Sequence, residues 1–430
     1  MAGKSPAKTR KTGAEGISVL AGKTFSPHLR ARNDYIRKHK NVLYGRGRFL
    51  EYAGGIFSEI PLYKVRREVA EIGEKVTGFE VTSNAVSSVV DLIRDARSEA
   101  DDKFDSRHDV LVFRDCVLDL NSFEKKPHSP EYRATSKLPF DYDPDATSDA
   151  WAKWGKRIEP DILLYLEEFA GLCLTTDQRY EKSVWLVGLP NCGKGTFIQA
   201  VQAALGISRW TTLSSSDIGN RFGLVKLAGK TLAIAAEAPP IKTPHCITVY
   251  DQIVSGEPIH VEEKGQPGYD LTPRCKVLCA MNVKPSVSHP DSGVFRRTDI
   301  VPMPPLNVAI DPEIKQQIMR DGQALVNVFL AGLKRLCQRG HFDIPRSVQV
   351  ASAEFRAESD HVAMFLEDCY VATPDCKVKS GDMNTSYFDW CKANGFRDPL
   401  DSRRLKGELQ RLGAAYSRSD GSWFTGFKPC

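Results

Sequence analysis

The chain has 430 residues, 41% of them hydrophobic and 26% charged, with a formal net charge of +5. That length leaves room for two or three domains of roughly 100 to 200 residues each and for a sizeable core. The composition fits a soluble globular protein, with no approach to the run of about 20 apolar residues that a membrane span needs, and the basic, polar start MAGKSPAKTRKTGAEG, with no apolar segment behind it, does not look like a secretory signal, so none is expected. Eleven cysteines occur singly. They argue against a disulfide framework and for a reducing cytoplasm, and Cys275 and Cys279, without zinc-like partners, read as buried small side chains. The positive charge is uneven: residues 1–48 hold 12 Lys and Arg against Glu15 and Asp34 alone, which leaves the remainder slightly acidic. Such an arm can screen phosphates or serve as a disordered, solvating tail.

In chain order, residues 1–40 lack periodicity and are expected to form a flexible basic arm. Helical spacing over 63–76 and 84–96, a strand at 110–113 and a turn before Val117 outline a small mixed domain over 41–150. It ends where PFDYDPDATSDAWAKW passes into a helix over 162–174. From 151 to 340 strands and helices alternate: strand 183–187, helix 193–205, strand 231–236, helix 248–254, strand 276–281, strand 299–302, and a long helix over 312–339 that Pro345 stops. This order implies a mostly parallel sheet covered on both faces. Residues 341–430 carry helical patterns at 351–370, 385–394 and 402–412 and then a hairpin over 414–427 turning at Ser419-Asp420-Gly421, the outline of a winged helix.

The strongest local signal is Gly188-Leu189-Pro190-Asn191-Cys192-Gly193-Lys194-Gly195-Thr196, set between the strand SVWLV and the helix TFIQAVQAAL. Glycines let such a loop wrap a phosphate with its backbone N–H groups, the helix N-terminus adds a favourable dipole, and Lys194 supplies a point charge to the β- and γ-phosphates of ATP. Gly195 stands directly after the lysine, where a Ser or Thr ordinarily holds Mg²⁺. Thr196 is therefore expected to take that duty, directly or through water. The loop alone leaves kinase and motor open. The apolar strand LAIAAE ends in Glu237, whose carboxylate can polarise an attacking water and help hold Mg²⁺; Ala236 precedes it where many motors carry Asp. KVLCAM leads into Asn282, an amide suited to the γ-phosphate or its attacking water. Arg296 and Arg297 precede a further strand and suit the transition-state charge on a neighbouring subunit's ATP.

The ordered series GLPNCGKGTF, RFGLVKLAGKTLAIAAE, IVSGEPIHVEEKG, CKVLCAMN and GVFRRTDIVPM resembles superfamily 3 helicases of the poxvirus and phage primase-helicase branch. The resemblance implies an AAA+-like P-loop core in which Lys194 and Thr196 form the Walker A pair, Glu237 is the Walker B acid, Asn282 the sensor, and Arg296 or Arg297 the arginine finger. It further implies a β-hairpin over 259–271 entering a central channel, with Lys264 near its tip gripping DNA, and six subunits in a ring. VLVFRDCVLD and LPFDYDPDA resemble the domain that precedes the motor in such proteins, and SDHVAMFLEDC with YFDWCKANG resembles their winged-helix end. Too few residues precede Tyr44 for a primase domain, so a separate primase is expected. In the last segment Arg403, Arg404, Lys406 and Arg411, with Tyr387, Trp390 and Phe424 nearby, suit phosphate contact and base stacking; core aromatics and solvated charges are the plain alternative. The expectation is an ATP- and Mg²⁺-dependent helicase acting on single-stranded or forked DNA in the cytoplasm. The alternatives are an ATP-switched origin-binding initiator and, more remotely, a nucleotide kinase.

Overall fold

A computed structural model of the chain describes residues 26–220, 222–235, 244–265, 268–283, 293–305, 312–394, 396, 399–418 and 420–430. They divide into two compact units, the first comprising residues up to Tyr44 with Arg48–Glu51 and Glu59–Ser98, the second Gly45–Gly47, Tyr52–Ser58 and Glu99–Cys430. Among the described residues no helix is long and apolar enough to cross a membrane.

The arm expected through residue 40 gives way to a helix, α1 (Pro27–Lys38). Ser26 caps it by accepting the Leu29 N–H, Pro27 occupies its first position, and Ala31 and Tyr35 supply a buried face. Strands β1 (Val42–Gly45), β2 (Arg48–Ala53) and β3 (Ile56–Ile60) follow, forming a sheet in that order. Helices α2 (Leu62–Gly73) and α3 (Ser83–Ala96) complete the first unit, whose core joins Tyr35, Val65, Val69, Val89 and Ile93 to Val42 and Phe49. The strands were invisible to periodicity because RFLEYAGGIFSEI interrupts its apolar residues with Gly54-Gly55, both at positive φ, and with charges on solvent-facing positions.

In the second unit β4 (Val110–Val112), β5 (Val117–Asp119) and β6 (Lys125–Lys126) make an antiparallel sheet. Next come α4 (Asp149–Gly155), α5 (Pro160–Cys173), β7 (Ser183–Val187), α6 (Lys194–Leu205), β8 (Trp210–Thr212), α7 (Ser215–Ile218), β9 (Leu232–Ala235) and α8 (Pro244–Ser255). They are followed by β10 (Ile259–Val261), β11 (Tyr269–Leu271), β12 (Lys276–Met281), α9 (Gly293–Arg297), β13 (Thr298–Pro302), α10 (Pro312–Arg320), α11 (Gly322–Arg339) and α12 (Arg346–Ser359). Five strands form one sheet in the order β13-β7-β12-β9-β8, every pair parallel. Alternate residues feed two cores: Val184, Leu186, Ile234 and Leu278 pack with α5, α6 and α11, while Trp185, Ala233, Val277 and Cys279 pack with α8 and α12. The mixed α/β fold with a parallel sheet is thus present. Cys275 and Cys279 lie wholly in its interior, where burial pushes both thiols up, Cys275 to about 12.

Helices α5 and α11 approach so closely that a Cβ at Gly171 would stand 2.2 Å from the Phe329 carbonyl oxygen, and one at Gly332 2.4 Å from that of Glu167. The single helix expected over 312–339 is two. Asp321 ends α10 and precedes α11, taking hydrogen bonds from Gln317 (2.6 Å) and Ser148 (2.6 Å), and Gly322 permits the backbone of α6 to come close at Ala203. The pattern read as one helix over 351–370 also divides. Asp360 takes the N-cap of α13 (His361–Cys369) by accepting the Ala363 N–H at 3.0 Å. Tyr370 then opens a strand, β14 (Tyr370–Lys379). After α14 (Ser380–Ala393) and α15 (Ser402–Arg411) come β15 (Ala415–Ser417) and β16 (Trp423–Pro429), and the sheet order is β14-β16-β15. The extra strand went unread because Pro374 and Asp375 fall in an irregularity between Thr373 and Lys377, which an edge strand tolerates.

Candidate functional site

The segment from Gly188 to Gly193 leaves the carboxyl end of β7 and turns into α6. It is pinned to both neighbouring strands: the Gly188 N–H donates to the Met281 carbonyl (3.3 Å) and the Met303 N–H to that of Val187 (2.7 Å). Two of its residues need the left-handed region, Asn191 at φ +65° and Gly193, the N-cap of α6, at φ +94°. Gly188 is required for space, since a Cβ there would lie 2.2 Å from the Met303 carbonyl oxygen. Lys194 opens α6 and folds back over the loop, its Nζ donating to the carbonyls of Gly188 (2.6 Å) and Leu189 (2.9 Å) and to Cys192 Sγ (3.3 Å). Gly195 is exposed, whereas Thr196 is 3% exposed.

A cavity of about 510 Å³ stands over this loop, lined by residues 190–196 together with Asn282, Pro312 and Lys315. Its volume lies within the few-hundred to ~1,000 Å³ range of small-ligand pockets. The unpaired N–H groups of the first turn of α6 and the cations Lys194 and Lys315 make the surroundings suited to an anion. Asn282 directly follows β12, the strand between β7 and β9, and so stands at the same edge as the loop. Glu237 and Ala236, beyond the end of β9 at Ala235, lie outside the described residues. Sequence reasoning missed Lys315. It sits on an amphipathic helix like any polar-face lysine, and only the return of α10 against α6 carries it to the cavity.

The adjacent arginines, equivalent in the sequence, are separated by their surroundings. Arg297 is held within the chain: its Nε lies 2.7 Å from Glu181 Oε2 and its Nη1 3.1 Å from Asp251 Oδ1, with the side chain 11% exposed. Burial raises the Asp251 pKa despite this guanidinium. Gly293 leaves the room for that ion pair, since a Cβ there would stand 2.0 Å from Arg297 Nη1. Arg296 is 74% exposed and 3.8 Å from Glu181 Oε2. Neither arginine is among the residues lining the cavity of its own chain.

The expected hairpin exists: Ile259, His260 and Val261 of β10 pair antiparallel with Leu271, Asp270 and Tyr269 of β11. Lys264 is exposed on the connection, followed by Gly265 at φ +78°. On α15, Leu405 and Leu409 face inward, and Arg403 and Arg404 are exposed beyond the Asp401 N-cap. Lys406 Nζ lies 3.4 Å from the Tyr416 ring centroid. Two expectations here are corrected. Tyr387, Trp390 and Phe424 are core residues, at 0%, 8% and 1% exposure, and offer no stacking surface. Arg411 is tied to Asp360 (2.5 Å) and Glu408 (2.6 Å).

Residues 30–159 match a protein-family model described as D5 N terminal like, and residues 186–297 match a family of unknown function, DUF5906. The latter span contains the loop, β9, β12 and both arginines. No curated protein matches. In solved structures the chain is similar to the C-terminal region of NrS-1 in its A form apo structure, with TM-score 0.51 and 10% identity over 92% of this chain and 98% of that one. A second A form apo structure of the same region, residues 305–718, has TM-score 0.51 and 9% identity over 93% and 100% of the two chains. These similarities are of fold, carried at an identity too low to transfer residue roles.

Proposed function

We propose that the chain is an ATP-dependent DNA helicase of the superfamily 3 type, acting as a hexameric ring in the replication of a phage, prophage or plasmid. The observation that carries this is the loop after β7, with Lys194 over it and Asn282 of the adjacent strand lining the same cavity of about 510 Å³. In an open parallel sheet ligands bind outside the carboxyl ends of the strands, and a loop that ends in a helix N-terminus, two lysines and an amide fits a polyphosphate. The strand order also puts β12 between the strand that feeds the loop and the strand that leads to Glu237. A water-polarising carboxylate and a γ-phosphate amide on neighbouring strands are what hydrolysis asks for.

In this reading Gly188, Pro190, Asn191, Cys192, Gly193, Lys194, Gly195 and Thr196 hold ATP, and Thr196 and Glu237 hold Mg²⁺. When bound, the metal would supply neutralisation of phosphate charge. Arg296, exposed and on a five-residue helix, becomes the finger toward the next subunit, while Arg297 supports it by fixing α9 to Glu181 and Asp251. In this reading the α13-β14-α14-α15-β15-β16 succession serves as a winged helix, with Arg403, Arg404 and Lys406 on its DNA-facing surface and Lys264 on the hairpin gripping single-stranded DNA. The match of residues 30–159 to the D5 N terminal like model favours a replication protein over a nucleotide kinase. A separate primase would supply primers, and the host cytoplasm is the compartment.

The test is displacement of a forked duplex by wild type and Lys194→Ala, with particle mass measured alongside. Wild type should form a ring of six and open the fork with ATP and Mg²⁺, and Lys194→Ala should not. A wild-type chain that stays monomeric with DNA and ATP and opens no duplex removes the helicase reading.

A further inference from the structure

The loop and the helix beneath it each hold a donor whose partner bears on phosphate binding. Trp154, on α4, is 0% exposed, and its indole Nε1–H has no hydrogen-bond partner among the described residues. An unpaired buried donor is costly and rare, and this one lies against the loop: a Cβ built on Gly193 would be 3.5 Å from Trp154 Nε1. Tilted packing on Trp151, with centroids 4.7 Å apart, holds the indole in place, and Trp151 spends its own N–H on Glu167 at 3.0 Å. Lys194, meanwhile, devotes its ammonium to the loop itself, through the Gly188 and Leu189 carbonyls and Cys192 Sγ. A phosphate in the cavity draws that ammonium away. The two carbonyls then lose their donor at the moment the loop must settle around the ligand.

Resting on the phosphate-binding reading of this loop, we infer that Trp154 is a positioning residue which donates its indole N–H to a loop carbonyl only when a nucleotide phosphate has taken Lys194, so that the occupied loop is held by α4. In this structure the loop is closed on Lys194, and Trp154 Nε1 is unmatched among the described residues. The loaded loop exchanges one donor for the other, which favours the loaded arrangement and couples α4 to occupancy. Cys192 is 1% exposed and Met303 packs beside both Gly188 and Gly193.

The experiment uses the full chain, selectively ¹⁵N-labelled at tryptophan, titrated with ADP and Mg²⁺. The Trp154 resonance is assigned from Trp154→Phe or, where that variant does not fold, by elimination with single Phe variants of Trp151, Trp185, Trp210, Trp390 and Trp423. The expected result is a downfield movement of the Trp154 indole proton with slowed solvent exchange as ADP binds, and for Trp154→Phe an affinity for ADP lower by about 2- to 10-fold, the range one neutral hydrogen bond contributes. Wild-type protein that binds ADP with the Trp154 resonance unmoved overturns the inference and leaves the nucleotide site standing. Wild-type protein that binds no ADP overturns the nucleotide site and the inference together.

Discussion

Two lysines stand at opposite edges of one parallel sheet and both donate to backbone carbonyls, yet only one of them is available for chemistry. Lys276 begins β12 at the amino edge, is 1% exposed, and donates to the Thr175 carbonyl at 2.6 Å. Removal from water lowers its pKa to about 8. Lys194 follows β7 at the carboxyl edge, makes the same kind of bonds and lines an open cavity. The arginine pair repeats the contrast, Arg297 sealed between two carboxylates and Arg296 exposed. A cation's donor contacts therefore say little about its use; the solvent or cavity on its other side does.

The contrast is broken most severely by the arginines. Arg296→Ala should lower DNA-stimulated ATP turnover by ~10³-fold or more, the contribution of an arginine finger, with the melting temperature unchanged, whereas Arg297→Ala should first lower stability, by ~1–3 kcal/mol, because Glu181 and Asp251 lose their partner. Thermal melts and turnover on the same preparations check both, and Arg296→Ala at wild-type turnover would exchange the two roles. At the lysines the separation should run the same way. Lys194→Ala should reduce turnover by ~10²–10³-fold with little change in stability. Lys276→Ala should cost ~2–5 kcal/mol through the buried volume it vacates, and Lys276→Met should recover part of that; a Lys276→Met protein that is stable but inactive would give the sealed lysine a role in the chemistry.

Titration sharpens the same point. Because burial depresses the Lys276 pKa from 10.5 to about 8, the unfolded chain binds more protons than the folded one between those values. The stability contributed by this group therefore rises with pH across that window and carries its full penalty below pH 8, a dependence that Lys276→Met should delete from denaturation curves. The smallest effect is expected at His39 in the first unit. Burial opposes its charged form, but the hydrogen bonds its ring donates to Glu51 and Glu68 outweigh this and raise its pKa above 6.5. Its stabilisation is complete below about pH 6.5 and is lost as pH rises through the folded value. His39→Gln should flatten that slope, by less than ~1 kcal/mol given its partial exposure.

Much of the second unit was legible because its elements are each set by local pattern. The runs SVWLV and KVLCAM are uninterrupted apolar strands, and the expected bounds of β7 and β12 coincide with those observed. The loop is legible for a similar reason, since Gly188, Gly193 and Lys194 must be adjacent in the chain to be adjacent in space. Illegible were α1, which the basic composition disguised, and β14, where Pro374 breaks the alternation. Also illegible was the distinction between Arg296 and Arg297, whose partner Glu181 lies 116 residues from Arg297.

The sequence alone determined the alternation of strands and helices, the glycine-bounded loop that ends in Lys194 and the identity of the residues offered at each strand end, because those follow from side-chain period and backbone stereochemistry over a few residues. Only the tertiary structure decided that β12 inserts between β7 and β9, that Lys315 and Asn282 share a cavity with Lys194, that one arginine is sealed and its neighbour exposed, and that Trp154 waits beneath the loop. These depend on desolvation and on contacts between segments far apart in the chain, and no local pattern records which groups will face water once the sheet has closed.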